Sequence, residues 1–96
     1  MFIIVAYDIS TETKTGQRRL RKVAQTCQGV GQRVQNSVFE CQLDEVKYLQ
    51  FVHKLQKLMH REEDNIRLYR LTSISPDMIL QLGHGRAIDF TAPLIL

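Results

Sequence analysis

Apolar residues occupy every position from Phe2 to Tyr7, and the run closes on the carboxylate of Asp8. Both alternating sets are apolar, with Phe2, Ile4 and Ala6 on one face and Ile3, Val5 and Tyr7 on the other. The pattern predicts a strand covered on both sides and therefore central in its sheet. Thr11 to Gly16 reads as a polar loop. Leu20, Val23, Ala24 and Cys27 then recur at i, i+3, i+4 and i+7, which predicts an amphipathic helix from about Thr15 to Cys27, with Gly29 as a left-handed residue ending it. Gln32 to Leu43 reads as extended, either as two short strands around Asn36 or as one strand bent there. Asp44 suits the N-cap of a second helix running to about Met59. Its wide stripe of Tyr48, Phe51, Val52, Leu55, Leu58 and Met59 is core, and His53 lies off it. Arg61 to Asp64 is a charged turn, and Asn65 to Leu71 alternates as a further strand.

The order strand, helix, strand, strand, helix, strand predicts an α+β fold, a ferredoxin-like βαββαβ sandwich with two helices on one face of a four-stranded antiparallel sheet. One domain is expected over residues 1–96, with a core at 1–71 and a tail at 72–96. Past Pro76, Met78 to Leu82 is expected to add a C-terminal strand and Gly83-His84-Gly85 to turn. The apolar end Pro93 to Leu96 is expected to dock on an edge strand, the partner's being one choice. The open sheet face needs a cover, and a two-fold homodimer is the simplest one.

At 96 residues, 44% apolar and 24% charged, the chain has the composition of a folded domain with a modest core. No apolar run reaches membrane-spanning length, so no membrane association is expected. The N-terminal run is short and lacks a basic flank, unlike an export signal. The expected location is therefore cytoplasmic, with Cys27 and Cys41 reduced and buried, since their spacing is not that of a metal site.

The net charge of +3 is mild, but its placement is uneven. No acid occurs from Thr13 to Phe39, a stretch that holds Lys14, Arg18, Arg19, Arg21, Lys22 and Arg33. The remainder carries seven bases against ten acids. This asymmetry favours contact with a polyanion over a merely solvated helix face. Arg18, Arg21 and Lys22 share much of one helix face, with Arg19 flanking, and Arg33 extends the positive track. Asp8, at the end of a buried strand and succeeded by a basic helix, suits a metal or phosphate site. The competing reading is that Asp8 and Ser10 only make the turn and cap the next segment.

Tyr7-Asp8-Ile9, the run Gly16 to Val23, the run Gly31 to Glu40 with its Gln35-Asn36-Ser37-Val38-Phe39-Glu40, and Ile66 to Leu71 together resemble the small CRISPR-associated adaptation protein family. The resemblance covers roughly the first 71 residues. It implies a homodimeric ferredoxin-fold subunit that accompanies the CRISPR integrase in spacer acquisition, held between integrase dimers. It also implies Mg²⁺-dependent endonuclease activity on RNA or double-stranded DNA. By the same resemblance Asp8 is the metal-binding and catalytic residue and Arg18 and Arg33 are the basic residues, with Tyr7, Ser37 and Phe39 in support.

Elementary chemistry adds a constraint. Mg²⁺ is often held by one or two carboxylates with water and phosphate completing an octahedron. This chain offers Asp8, with Glu12 nearby on a loop, so a fuller site needs Asp8 from both protomers. Three readings stay open: a metal-dependent nuclease, an architectural DNA-binding adaptor of the integrase complex in which Asp8 is structural, and a regulatory domain for a small ligand. The last fits poorly, because it calls for a glycine-rich ligand loop and a surface that is not basic.

Overall fold

The computed structural model describes residues 1–84. Its elements run β1 (Phe2–Asp8), α1 (Lys14–Gln28), β2 (Gly31–Gln35), β3 (Val38–Gln42), α2 (Glu45–Leu58) and β4 (Asn65–Leu71), and then a 3₁₀ turn at Pro76–Met78. The strands form one antiparallel sheet in the order β2-β3-β1-β4, so the expected ferredoxin-like fold is present and β1 is central.

The periodicity of each element explains its place. Ile3, Val5 and Tyr7 of β1 join Phe39 and Cys41 of β3 on one sheet face. Val23 and Cys27 of α1 and Phe51 and Leu55 of α2 pack against them in a single core. Burial pushes the thiols of Cys27 and Cys41 up to about 12, so both are inert apolar filler. The other face of β1 is covered less fully than its apolar pattern predicts. Phe2 is buried there, but Ile4 and Ala6 are only half-buried within one chain.

Local capping sets the helix starts. Thr13 accepts the Gly16 N–H at 3.0 Å and Asp44 accepts the Lys47 N–H at 2.8 Å. Gly16 also lies so close to the Ser10 carbonyl that any Cβ there would overlap its oxygen. That close approach seats the β1–α1 loop against the first turn of α1.

The hairpin reading of Gln32 to Leu43 holds, with the turn at Asn36-Ser37 and a register shift between Arg33 and Gln35. Two expectations are corrected. Gly29 is not left-handed: its φ of −67° and ψ of −16° continue the helical turn, and its N–H bonds the Gln25 carbonyl at 2.9 Å. Val30 then closes a tighter turn onto Cys27, so no left-handed residue is needed. Met78 to Leu82 is not a strand in this chain. Pro76 starts a 3₁₀ turn in which the Met78 N–H bonds Ser75, and residues 79–82 continue without regular structure. An isolated strand has no ladder to join, and Leu80 and Leu82 are left 82% and 81% exposed. Gly83 has a φ of 81°, consistent with a turn, while Gly85 and Pro93 to Leu96 lie outside the described residues.

Candidate nucleic-acid interface

Asp8 is the last residue of β1, exposed, and opposite Asn65 at the start of β4. Beside it opens a depression of about 480 Å³. Asp8, Arg21 and Arg33 contribute its charged residues, Tyr7, Ile9, Leu20 and Ala24 its apolar ones, and Asn36 and Ser37 the rest of its polar lining. One carboxylate and two guanidiniums thus share one opening at the strand end.

The hairpin tip is tied to β1 by Tyr7 through two bonds. The Tyr7 main-chain N–H donates to the Ser37 carbonyl at 3.1 Å, and its phenol donates to the Asn36 carbonyl at 3.1 Å. The Tyr7 ring stacks on Phe39 with centroids 6.1 Å apart. Arg33, opposite Phe39 in the β2–β3 register, lays its guanidinium over that ring. Tyr7, Ser37 and Phe39 therefore support the opening by packing and main-chain bonds.

The predicted basic residues divide into three groups. Arg21 and Arg33 line the depression. Arg18 and Lys22 are exposed on α1, within one helical turn of Arg21. Arg19 departs from the expected track: its guanidinium bonds Asp64 at 2.8 Å and Glu63 at 3.1 Å, and it is spent on an internal ion pair. Its spacing carried the signal, because Arg19 stands four residues before the buried Val23 and eight before the buried Cys27.

Sequence reasoning also missed Asp64, Asn36 and Glu40. Asp64 has no exposed side-chain surface. Burial pushes its carboxyl up, and donors from Arg19, His60 and Ser10 outweigh this and hold it below the usual carboxylate range. Nothing in the charged turn Arg61 to Asp64 marks the last acid as buried. Glu40 sits on the open sheet face opposite Ile4, and its Oε1 is buried with no hydrogen-bond partner among the described residues. Burial raises its carboxyl above the ordinary range.

Among the described residues, no three His, Cys, Asp or Glu side chains gather into a metal-binding group. The donor type at Asp8 suits Mg²⁺, which prefers carboxylate oxygen, but the number suits only a site completed by water, phosphate or a second chain. Two arginines beside that carboxylate can bind phosphate oxygens through charge-assisted hydrogen bonds. Among the described residues, no helix is long and apolar enough to cross a membrane.

Known proteins share this sequence pattern and this fold. The family model described as CRISPR associated protein Cas2 matches residues 1–79. A protein of Moorella thermoacetica named CRISPR-associated endoribonuclease Cas2 1 is 47% identical over 96 residues, the whole of both chains. A CRISPR-associated endonuclease Cas2 of Halalkalibacterium halodurans is 41% identical over 95 residues, covering 99% of each. The crystal structure of Streptococcus pyogenes Cas2 at pH 6.5 superposes with a TM-score of 0.77 at 41% identity, covering 86% of this chain and all of that one.

Proposed function

The chain belongs to the CRISPR-associated Cas2 family, and from that premise we propose that it is a homodimeric, Mg²⁺-dependent endonuclease acting on the phosphodiester bonds of RNA or double-stranded DNA. It would serve beside the CRISPR integrase in spacer acquisition. The observation that carries this reading is the meeting of Asp8 with Arg21 and Arg33 at one depression. The names of the relatives, endoribonuclease in one and endonuclease in another, support a nuclease without choosing the nucleic acid.

Each residue has a role under this reading. Asp8 would supply an oxygen ligand to the metal, and a second copy of the chain would add its own Asp8. Arg21 and Arg33 hold the phosphates flanking the cleaved bond, with Arg18 and Lys22 extending the contact along α1. A bound Mg²⁺ would lower the pKa of a water nucleophile and neutralise charge on the phosphoryl oxygens. Tyr7 and Phe39 keep the hairpin tip and Arg33 in place around that reaction.

One observation favours a second reading, that of a non-catalytic architectural adaptor. A single chain brings only one acid, Asp8, to the depression, with no general base beside it among the described residues. The separating experiment is cleavage of duplex DNA and of single-stranded RNA, with Mg²⁺ or with EDTA, by wild type and Asp8→Asn. A nuclease loses cleavage in EDTA and in Asp8→Asn while duplex binding persists. Binding without any metal-dependent cleavage by the wild type would establish the adaptor instead.

A further inference from the structure

We propose that Asp64 is a positioning residue for Asp8, acting as an internal staple that fixes both chain segments flanking it. This rests on the reading that Asp8 is the working carboxylate. Asp64 Oδ1 accepts the Ser10 N–H at 3.0 Å, two residues beyond Asp8 in the β1–α1 loop. Asp64 Oδ2 accepts the His60 N–H at 2.8 Å, closing its own loop. Arg19 grips both oxygens from α1, through Nε to Oδ2 at 2.8 Å and Nη2 to Oδ1 at 3.3 Å. The next residue, Asn65, is the sheet partner of Asp8. One carboxylate with no exposed surface therefore joins three segments: the loop leaving Asp8, the first turns of α1, and the start of the strand paired with Asp8.

The arrangement has the form of a supporting shell. Asp8 is exposed and carries no side-chain hydrogen bond of its own within the described residues, so its direction is set by its backbone. That backbone is held on one side by the β4 ladder and on the other by the Ser10–Asp64 bond and the close approach of Ser10 to Gly16. A charge-assisted bond to a buried carboxylate is short and directional, which makes it a good fixed point. Breaking it frees the loop that begins one residue after Asp8, while Arg21 and Arg33, on other elements, keep their places. The chemical step should suffer and phosphate binding should not, because orientation governs the rate at bound substrate.

The test uses the full-length chain, with duplex DNA and Mg²⁺ as probes. Asp64→Asn keeps the side-chain shape and removes the charge. It should lower kcat by about 10- to 100-fold, the scale on which a 1 Å misplacement acts, with KM and duplex Kd changed less than about twofold. Ser10 amide hydrogen exchange should be protected in the wild type and fast in the variant. Phe51→Leu, in the core beside Gln42 and Leu43 towards the opposite end of β1, serves as a control of reduced stability and should leave kcat unchanged below its melting temperature. Should Asp64→Asn fail to fold, Arg19→Lys retains the charge but loses the fork, and should lower kcat with KM unaffected. An unprotected Ser10 amide in the wild type overturns the staple. So does an unchanged kcat in the folded variant, or an equal loss of kcat in Phe51→Leu. Cleavage that survives Asp8→Asn, or a wild type that does not cleave, overturns the reading beneath it instead.

Discussion

The guanidinium carbon of Arg33 lies 5.0 Å from the ring centroid of Phe39, the residue directly opposite it across the β2–β3 ladder. Phe39 is fully buried, while Arg33 is exposed. The ring thus holds the cation at the depression that Arg33 lines, where its N–H donors can meet phosphate. The positive charge at the site is anchored rather than merely present.

Arg33→Lys is therefore not conservative, because an ammonium neither stacks in this way nor offers a fork. Arg21→Ala with Arg33→Ala should weaken binding to unrelated duplexes by similar factors, since phosphate contacts carry no sequence. The log–log salt slope should fall by about 0.9 for each phosphate left without its cation. Titrations at several salt concentrations decide it, and Arg19→Ala should leave the slope unchanged because that side chain faces Asp64.

Tyr7→Phe removes only the hydroxyl that reaches the Asn36 carbonyl. The loss should cost about 0.5–1.5 kcal/mol, a typical net hydrogen bond, and lower Tm by a few degrees. Hydrogen exchange should quicken at the hairpin tip. The Tyr7 N–H to Ser37 bond remains, so the hairpin register should persist.

Much of this fold was legible because each element carries its own period. The continuous apolar run of β1, the 3.6-residue stripes of α1 and α2, and the alternation in Ile66 and Leu68 each allow one placement. The site was legible in part. Asp8, Arg33 and Tyr7 stood out through position and resemblance, and they do meet. The spacing of Arg19 from Val23 and Cys27 marks it as inward-facing, but its partner is 45 residues away and no local pattern encodes that pairing. The tail was misread for a related reason. Met78 to Leu82 has the composition of a strand, but a strand exists only where an edge offers bonds, and one chain does not bring an edge to it.

Leu80 and Leu82 are the most exposed large apolar residues described, and the half-buried Ile4 and Ala6 leave the open sheet face unfinished. Both features suit burial against a second copy. Leu80→Asp with Leu82→Asp should weaken the proposed homodimer by about tenfold or more, equivalent to at least about 1.4 kcal/mol. Sedimentation at several concentrations measures this. A dimer unchanged by both substitutions would remove these residues from the interface and leave the sheet face as the remaining candidate.

The buried Asp64 and the half-buried Glu40 should give opposite pH signatures. Asp64 is held below its ordinary range by Arg19 and main-chain donors that outweigh its burial, so the unfolded chain binds its proton more readily. Its contribution is complete above the unfolded value of about 3.9 and disappears as pH falls through the lower folded value. Glu40 is raised by burial, with one oxygen unpartnered among the described residues, so the folded chain binds its proton more readily. Its carboxyl favours folding below the unfolded value of about 4.3, and that advantage is lost as pH rises through the higher folded value. Asp64→Asn should therefore lower Tm by roughly 10 °C at neutral pH, on the scale of a lost hydrogen bond to a charged group, and the deficit should shrink in acid. Glu40→Gln should raise Tm at neutral pH, since an uncharged amide replaces a desolvated carboxylate, and the gain should vanish near pH 4. Melting curves of both variants from pH 3 to pH 8 test the pair. Parallel curves for Asp64→Asn and wild type throughout would show that Asp64 contributes by shape alone, and parallel curves for Glu40→Gln would show that water reaches its buried oxygen.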